Sequence, residues 1–246
     1  MSAGTLTGVV LEYIEIDGLR LRVRKMGSGP PLLLINGLSS RVETWSALVE
    51  QLGDRGVIAY DAPGVGASTT PWLPLSMSRL ARIAEGVLDA CEVDTADVLG
   101  FSHGGAVAQQ FALDSPTRIN RMVLAATSCG VGSMLGDPFS LVGRAAAQWS
   151  DTVEGGIGSA STPLGLLWQM VAIGTWSSLP WLEQIEAPTL VLAGSDDRFV
   201  PPRNGRFLAS RIPNSRYCEL PGVGHDMFHR TSAPTVAAEI AGFLEA

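Results

Sequence analysis

A serine lies between closely spaced glycines in the sequence VLGFSHGGAVAQQF, which occupies residues 98–111. Gly100 stands two residues before Ser102, and Gly104 stands two residues after it. An apolar run typical of a buried strand precedes the serine, and a helical pattern follows it. A tight turn from strand to helix leaves no room for side chains at the two glycines, and it lifts the serine hydroxyl clear of the sheet. The motif therefore predicts that Ser102 is a nucleophile.

A serine hydroxyl needs a base before it can attack a carbonyl carbon. The chain contains three histidines: His103, His225 and His229. His103 follows Ser102 directly, so we expect its side chain to turn away from the hydroxyl and to serve as a pocket wall or a structural residue. His225 lies in the glycine-rich segment LPGVGHDMF after the last predicted strand, where a loop can reach the same edge of a sheet. We therefore predict that His225 is the base and that His229 begins a helix.

The spacing of His225 and His229 is also compatible with a metal site. A zinc site on a helix normally has a third ligand and a glutamate beside the first histidine, whereas Asp226 stands there in this chain. We expect neither a metal nor a cofactor.

The base in turn needs a carboxylate to orient it. The strand-like run TLVLAG at 189–194 is followed by Ser195 and then by two acids, Asp196 and Asp197. Asp197 directly precedes the turn into the next predicted helix, whereas Asp196 is the alternative, better suited to capping the turn or facing water. We predict Asp197, which completes the chain order serine, aspartate, histidine.

Two backbone N–H groups should stabilise the negative charge that forms on the carbonyl oxygen during acyl transfer. The N–H of His103, at the start of a helix, is one predicted donor. The N–H of Leu38 is the other, because Gly37 allows the backbone after the strand LLLIN to turn inward. Asn36 is expected to brace this loop, with a direct role for its side chain as the alternative.

The elements that must position these residues alternate between strand and helix from residue 31 onward. This alternation specifies an α/β fold, with a mostly parallel sheet and helices on both faces. The predicted strands are Val9–Ile16, Leu19–Arg24, Pro31–Ile35, Gly56–Asp61, Asp97–Phe101, Ile119–Ala126, Thr189–Ala193 and Tyr217–Leu220. The predicted helices are Val42–Leu52, Met77–Cys91, His103–Leu113, Pro202–Arg211 and Ala233–Leu244. The pair Asp17-Gly18 predicts a hairpin between the first two strands.

Residues 129–184 interrupt this alternation and contain no clear strand. The segment is rich in tryptophan and predicts a helical cap, or lid, inserted between the core segments 1–128 and 185–246. Its apolar character favours an acyl or alcohol group of short to medium chain length. Besides Leu38, the residues predicted to contact the substrate are Trp149, Trp168, Met170 and Trp176.

The composition narrows the class of protein. The formal net charge is −7 and no cluster of Lys or Arg stands out, which argues against nucleic acid as a partner. Cys91, Cys129 and Cys218 are widely spaced, which fits free thiols in a reducing compartment. The beginning of the chain lacks the pattern of a signal peptide, and no apolar run approaches the ~18 residues of a membrane helix. We expect a cytoplasmic protein without membrane insertion. The sequence leaves both a monomer and a homodimer as alternatives.

The three predicted residues and their order resemble the α/β-hydrolase superfamily. Several longer segments are similar to the intracellular medium-chain-length poly(3-hydroxyalkanoate) depolymerases, and they cover most of residues 10–130 and 165–230. These segments are LLLINGLSS, VIAYDAPGVGASTTP, GGAVAQQFALDSP, RMVLAATSCG, GTWSSLPWLEQIEAPTLVLAG and the region from RIPNS to GHDMF.

The resemblance implies a serine esterase with a short cap that acts on a small-molecule or oligomeric ester. It supports Ser102, Asp197 and His225 as the triad, with Leu38 and His103 as backbone donors. The chain departs from the family pattern between about 131 and 164 and at His103, where relatives more often have Trp, Met or Gln. Both places line the pocket, so attack on a polymer does not follow from the resemblance.

Other activities could use the same three residues. A carbon–carbon hydrolase of the meta-cleavage type, a lactonase and a cofactor-free perhydrolase are the alternatives. A ligand receptor that has kept the fold without catalysis is another, because fold alone does not determine function. Haloalkane and epoxide hydrolases normally need a carboxylate at position 102, and the serine there argues against both.

Overall fold

The computed structural model describes residues 9–137 and 161–246. An eight-stranded sheet in the order β1-β2-β4-β3-β5-β6-β7-β8 forms the centre of the molecule. Its strands are Val10–Ile16 (β1), Leu19–Met26 (β2), Pro31–Ile35 (β3), Gly56–Tyr60 (β4), Ala96–Phe101 (β5), Ile119–Ala125 (β6), Thr189–Gly194 (β7) and Ser215–Leu220 (β8). Strand β2 is antiparallel to both of its neighbours, β1 and β4, and every other pair of neighbouring strands is parallel.

Six α-helices lie in the described residues. They are Ser46–Val49 (α1), Met77–Ala90 (α2), His103–Asp114 (α3), Pro163–Gly174 (α4), Pro202–Arg211 (α5) and Ala233–Leu244 (α6). Short 3₁₀ turns at Val42–Trp45, Pro116–Arg118 and Leu182–Gln184 complete the helical elements. Within these described parts of the chain, no helix combines the length and the apolar character that crossing a membrane requires.

The sheet separates two apolar clusters. On one face, α2 and α3 pack their buried side chains, including Phe111 and Ile83, against alternate residues of the strands. On the other face, α1 and α6 cover a cluster centred on Trp45. Because β5 and β7 lie between both layers, every residue in them is buried, as expected for central parallel strands with continuous apolar sequences.

The order of the strands determines where a ligand can bind. The chain passes from β3 to β4 on one side and then crosses to β5 on the other side of β3. A crevice opens outside the carboxyl ends of two strands at such a reversal. The register pairs Ile35 with Gly100, so the residues that follow β3 and β5 must lie next to each other.

The fold confirms the predicted α/β class and most of the predicted elements, with two differences. The predicted helix Val42–Leu52 is instead a 3₁₀ turn followed by the single turn α1. The predicted helix at His229 does not form there, because α6 begins at Ala233. Elsewhere the bounds of the predicted strands and helices shift by at most two residues.

The predicted cap segment 129–184 falls partly outside the described residues. In its second half, α4 is tied to the loop after β4, since the N–H of Thr162 donates to the carbonyl of Gly64 at 3.0 Å. The following residues Trp176 and Leu182 are buried in the same cluster as α2 and α3. The division of the chain into core and cap stays a prediction.

Candidate active site

Ser102 occupies the sharp turn between β5 and α3. Its backbone has φ 52° and ψ −116°, a conformation of positive φ that residues with a side chain rarely adopt. Two hydrogen bonds hold it there: the N–H of Ser102 donates to the carbonyl of Ala125 at 2.9 Å, and the hydroxyl of Thr127 donates to the carbonyl of Ser102 at 2.7 Å. The structure therefore presents the Ser102 hydroxyl at the carboxyl edge of the sheet.

The two glycines of the motif make this turn sterically feasible. A Cβ added at Gly100 would collide with the carbonyl of Gly104 and with the backbone of Gly105. A Cβ added at Gly104 would collide with the carbonyls of Ile35 and Asn36. We call residues 100–104 the elbow.

Three loops bring the predicted nucleophile, base and acid together. The Nε2 atom of His225 lies 3.1 Å from the Oγ of Ser102, and its Nδ1 lies 2.7 Å from the Oδ2 of Asp197. Asp197 and His225 are buried. The His225 ring lies between the rings of Phe101 and Phe199, with centroid distances of 5.2 Å and 4.8 Å. The arrangement can carry a proton from the hydroxyl to an imidazole that a carboxylate orients.

The loop after β7 distinguishes the two competing acids. The Oδ1 of Asp197 accepts hydrogen bonds from the N–H groups of Phe199 and Val200 at 2.9 Å and 2.8 Å, which leaves Oδ2 for His225. Asp196 is exposed and accepts a hydrogen bond from the neighbouring Ser195 hydroxyl. The geometry favours Asp197, as predicted. His229 is exposed, and its Nδ1 contacts the hydroxyl of Thr231.

Leu38 and His103 lie beside the serine. Both line a cavity of about 130 Å³, together with Ser102 itself. His103 is the first residue of α3, where backbone N–H groups have no partner within the helix. The other lining residues are Thr127, Ser128, Ile173, Phe199 and Val200.

The loop that carries Leu38 is braced from below by Asn36. The Nδ2 of Asn36 donates to the carbonyl of Tyr60 at 2.8 Å, and its Oδ1 accepts a hydrogen bond from the indole of Trp45. With both ends of this buried amide engaged, its geometry fits the predicted bracing role better than a direct one.

The His103 imidazole is buried in the wall of the cavity. Burial lowers its pKa to about 4, because a charged ring would lose its hydration, and the backbone of Gln169 acts weakly in the opposite direction. The ring is therefore neutral at ordinary pH and adds no positive charge beside Ser102.

A larger groove of about 500 Å³ lies between the residues after β3 and those after His225. Glu43, Asp226 and Arg230 are among the residues that line it. It shares none of its lining residues with the cavity beside Ser102. The smaller cavity is the one that Ser102 lines, so it lies next to the hydroxyl and His225.

Comparison with known proteins gives the family. A family model described as the alpha/beta hydrolase fold matches residues 30–155 and 158–230. The chain belongs to the α/β-hydrolase family. It is 36% identical to a poly(3-hydroxyalkanoate) depolymerase of Ectopseudomonas oleovorans, over 96% of this chain and 93% of that protein. The predicted resemblance to these depolymerases is thereby confirmed.

Other relatives of this α/β-hydrolase carry different names. A 2-hydroxy-6-oxo-6-phenylhexa-2,4-dienoate hydrolase of Burkholderia cepacia is 26% identical, over 88% of each chain. A solved hydrolase from Pseudomonas aeruginosa PA01 superposes with a TM-score of 0.83 at 30% identity, covering 96% of this chain and 98% of that one. The enol-lactonase from Burkholderia xenovorans LB400 superposes with a TM-score of 0.84 at 24% identity, covering 96% and 100%. This last likeness concerns the fold alone.

The residues that we predicted to contact the substrate lie in different places in this hydrolase, and their contact with the substrate stays a prediction. Leu38 lines the cavity, but among the described residues Trp168, Met170 and Trp176 do not. The indole of Trp168 donates to the carbonyl of Pro71 at 3.0 Å, and Met170 points outward with 49% of its surface exposed. Trp149 lies outside the described residues.

Trp176 has a structural role in the α/β-hydrolase core. It is buried, its indole donates to Gln110 at 2.8 Å, and its ring meets that of Trp181 at a centroid distance of 5.9 Å. The sequence prediction took the tryptophans from the apolar, tryptophan-rich segment and did not include Ile173, which lines the cavity. Helical spacing offered a signal, because Leu166, Gln169 and Ile173 recur on one face of α4.

Proposed function

We propose that this α/β-hydrolase cleaves carboxylic esters through an acyl-enzyme formed on Ser102. The single observation that carries the proposal is the continuous relay from Oγ of Ser102 through His225 to Asp197, with hydrogen-bond distances of 3.1 Å and 2.7 Å. His225 takes the hydroxyl proton as Ser102 attacks the ester carbonyl, and it then returns that proton to the departing alcohol. A water molecule repeats the sequence to release the acid.

The negative charge on the carbonyl oxygen is assigned to the N–H groups of Leu38 and His103. Both residues line the cavity that also contains the Ser102 hydroxyl, which supports this assignment. A helix N-terminus adds a favourable dipole at the same point, since His103 begins α3. Donors of this kind each contribute about 2.7–4 kcal/mol to catalysis.

The acyl group is expected to enter the cavity beside Ser102. Leu38, Ile173, Phe199 and Val200 make much of its wall apolar. Its volume of about 130 Å³ is small for a ligand pocket, since such pockets typically hold ~300–1,000 Å³. This supports short to medium acyl or hydroxyacyl chains, with the short end of that range preferred.

The test is a panel of p-nitrophenyl esters from acetate to dodecanoate, run beside granules of medium-chain polyhydroxyalkanoate. We expect the best kcat/KM among the shorter esters. Ser102→Ala should lower kcat by roughly 10⁴-fold or more without changing the thermal unfolding midpoint. Ser128→Ala is the matched control, because Ser128 lines the same cavity outside the relay. Turnover by Ser102→Ala at the wild-type rate would refute the proposal.

A carbon–carbon hydrolase is the main competing activity, given the relative from Burkholderia cepacia. Its dienoate substrate carries a carboxylate, for which a basic pocket would be expected. Within the described residues, neither Arg nor Lys lines the cavity beside Ser102. The ester therefore remains the better match, and faster turnover of a ring-cleavage product than of any ester would replace it.

A further inference from the structure

Residues 37–40 form a tight turn that carries Leu38. The N–H of Ser40 donates to the carbonyl of Gly37 at 3.1 Å, and the third residue, Ser39, has φ 55°. Leu38 is not among the residues of positive φ, so the pattern is that of a type II turn. Such turns favour glycine at the third position, because other residues are strained there. This chain has serine at that place.

Two side chains from the distant segment around α4 hold Ser39. The N–H of Ser39 donates to the Oε1 of Gln169 at 2.9 Å, and the hydroxyls of Ser39 and Ser161 lie 2.8 Å apart. Gln169 is 130 residues away in sequence, and Ser161 is 122 residues away. All three are buried, with exposures of 3%, 3% and 1% for Ser39, Gln169 and Ser161. Water cannot replace these bonds without opening the structure.

The segment that supplies these side chains is itself fixed to the core. Ser161 forms a β-bridge with Val65, and the hydroxyl of Thr162 caps α4 by accepting from the N–H of Gly165 at 2.9 Å. One turn later in α4, Gln169 faces inward. A flip of the Leu38–Ser39 peptide would break its bond to Gln169, so this bond selects one of the two conformations open to such a turn.

The geometry points to Gln169 as a positioning residue for oxyanion stabilisation. By fixing the Leu38–Ser39 peptide, it holds the 37–40 turn that carries Leu38, the residue whose N–H is assigned to the carbonyl oxygen in the proposed function. Ser161 supports it through the hydroxyl of Ser39. Gln169 acts through the turn without touching the substrate. This inference rests on the proposed ester hydrolysis and on the role given there to Leu38.

Gln169→Met tests the inference, because methionine is similar in size and cannot accept the Ser39 N–H. We expect kcat for the best p-nitrophenyl ester to fall about 10- to 100-fold, with KM changed less than about twofold. The inhibition constant of a trifluoromethyl ketone, which forms an oxyanion on Ser102, should rise by the same factor as kcat falls. A rise in KM as large as the fall in kcat would contradict the inference. An unchanged inhibition constant would contradict it as well.

A second substitution distinguishes positioning from mere packing. In the Gln169→Met background, Ser39→Gly should restore kcat by roughly fivefold or more, since glycine adopts positive φ without strain. A loss of packing around α4 would not be repaired by this change. Gln110→Met is the matched control, because it removes a different buried amide bond between α3 and Trp176. Its kcat should stay within about twofold of wild type, even if its unfolding midpoint falls.

Ser161→Ala keeps the test decisive if Gln169→Met does not fold. It removes only the hydroxyl contact to Ser39, so we expect a smaller loss of kcat, about threefold to tenfold, in the same direction. Wild-type kinetics in a folded Gln169→Met, or in Ser161→Ala if Gln169→Met does not fold, with Ser102→Ala inactive, would overturn this inference and leave the proposed function standing. An active Ser102→Ala would overturn the proposed function instead.

Discussion

Two serines in this α/β-hydrolase have backbones of positive φ, and they are held in opposite ways. Ser102, with φ 52°, is held by the elbow, where adjacent glycines leave room for the turn. Ser39, with φ 55°, is held by Gln169 and Ser161, both more than a hundred residues away. Glycines close to Ser102 in sequence therefore make one half of the site possible, with further support from Ala125 and Thr127, whereas the other half depends on side chains from a distant segment.

Filling the elbow is the most severe test of the locally specified half. Gly104→Ala places a Cβ against the carbonyls of Ile35 and Asn36, which are backbone atoms that cannot move aside cheaply. We expect esterase activity to fall more than about 1,000-fold and the free energy of unfolding to drop by about 3 kcal/mol or more. Urea denaturation and steady-state kinetics measure both.

Gly174→Ala is the control for that substitution. Gly174 lies at the end of α4, where an added Cβ would meet no other atom within contact distance, so alanine should be neutral or slightly stabilising there. A functional Gly104→Ala enzyme with normal stability would show that the elbow does not need its glycine.

Substitutions of the two neighbouring acids, Asp197 and Asp196, test whether the loop after β7 assigns only one of them to His225. Asp197→Asn keeps the shape but removes the charge that orients His225, and we expect kcat to fall roughly 10⁴-fold. Asp196→Asn changes the adjacent exposed carboxylate and should leave kcat within about twofold. Comparable losses in the two variants would mean that the acids are not distinguished as the hydrogen bonds indicate.

The burial of His103, the residue directly after Ser102, makes the free energy of unfolding depend on pH. Folding lowers the pKa of His103 to about 4, whereas an unfolded histidine titrates near 6.5, so the unfolded chain binds more protons between these values. Stability is therefore complete above about pH 6.5 and is lost as the pH falls towards 4, by about 3 kcal/mol from this group. His103→Leu should lack that part of the pH dependence in urea titrations at pH 7, 5.5 and 4.5. Parallel profiles for the two proteins would show that folding does not lower the pKa of His103.

The smallest expected effects concern two side chains of α4, Trp168 and Ile173. Trp168→Phe removes one hydrogen bond to the carbonyl of Pro71 and should cost about 1 kcal/mol of stability, with kcat/KM unchanged. Ile173→Ala enlarges the cavity beside Ser102 and should shift the ester preference towards longer acyl chains. A changed ester profile in Trp168→Phe would instead support the predicted contact of Trp168 with the substrate.

The sequence could predict that Ser102, Asp197 and His225 lie close together, because the signals for this placement are local. Each of Ser102, Asp197 and His225 lies in the segment that follows a strand, and parallel strands bring their carboxyl ends to one edge. Their order identified the family before any coordinates. The strands and the helices at Pro202–Arg211 and Ala233–Leu244 were recognisable for the same reason, since each carries its own periodicity and end signals.

What the sequence did not predict depends on contacts between distant segments. Nothing near Ser39 in sequence indicates a glutamine partner, because the contact exists only once α4 has docked on the loop after β4. The roles of the tryptophans are hard to predict for the same reason, since a large aromatic residue suits a buried core as well as a pocket wall. In the case of Trp176, the amide of Gln110 decides between the two.

The attachment of Ser39 to Gln169 and Ser161 has a consequence for engineering. Loop insertions in hydrolases are natural targets for exchange between relatives when a new substrate range is wanted. Here the exchanged piece would include the two side chains that hold Ser39 and, on our proposal, position the Leu38 amide. A chimera that imports foreign residues at positions 161 and 169 would alter turnover as well as selectivity, and transplantation should preserve both anchors or replace Ser39 with glycine.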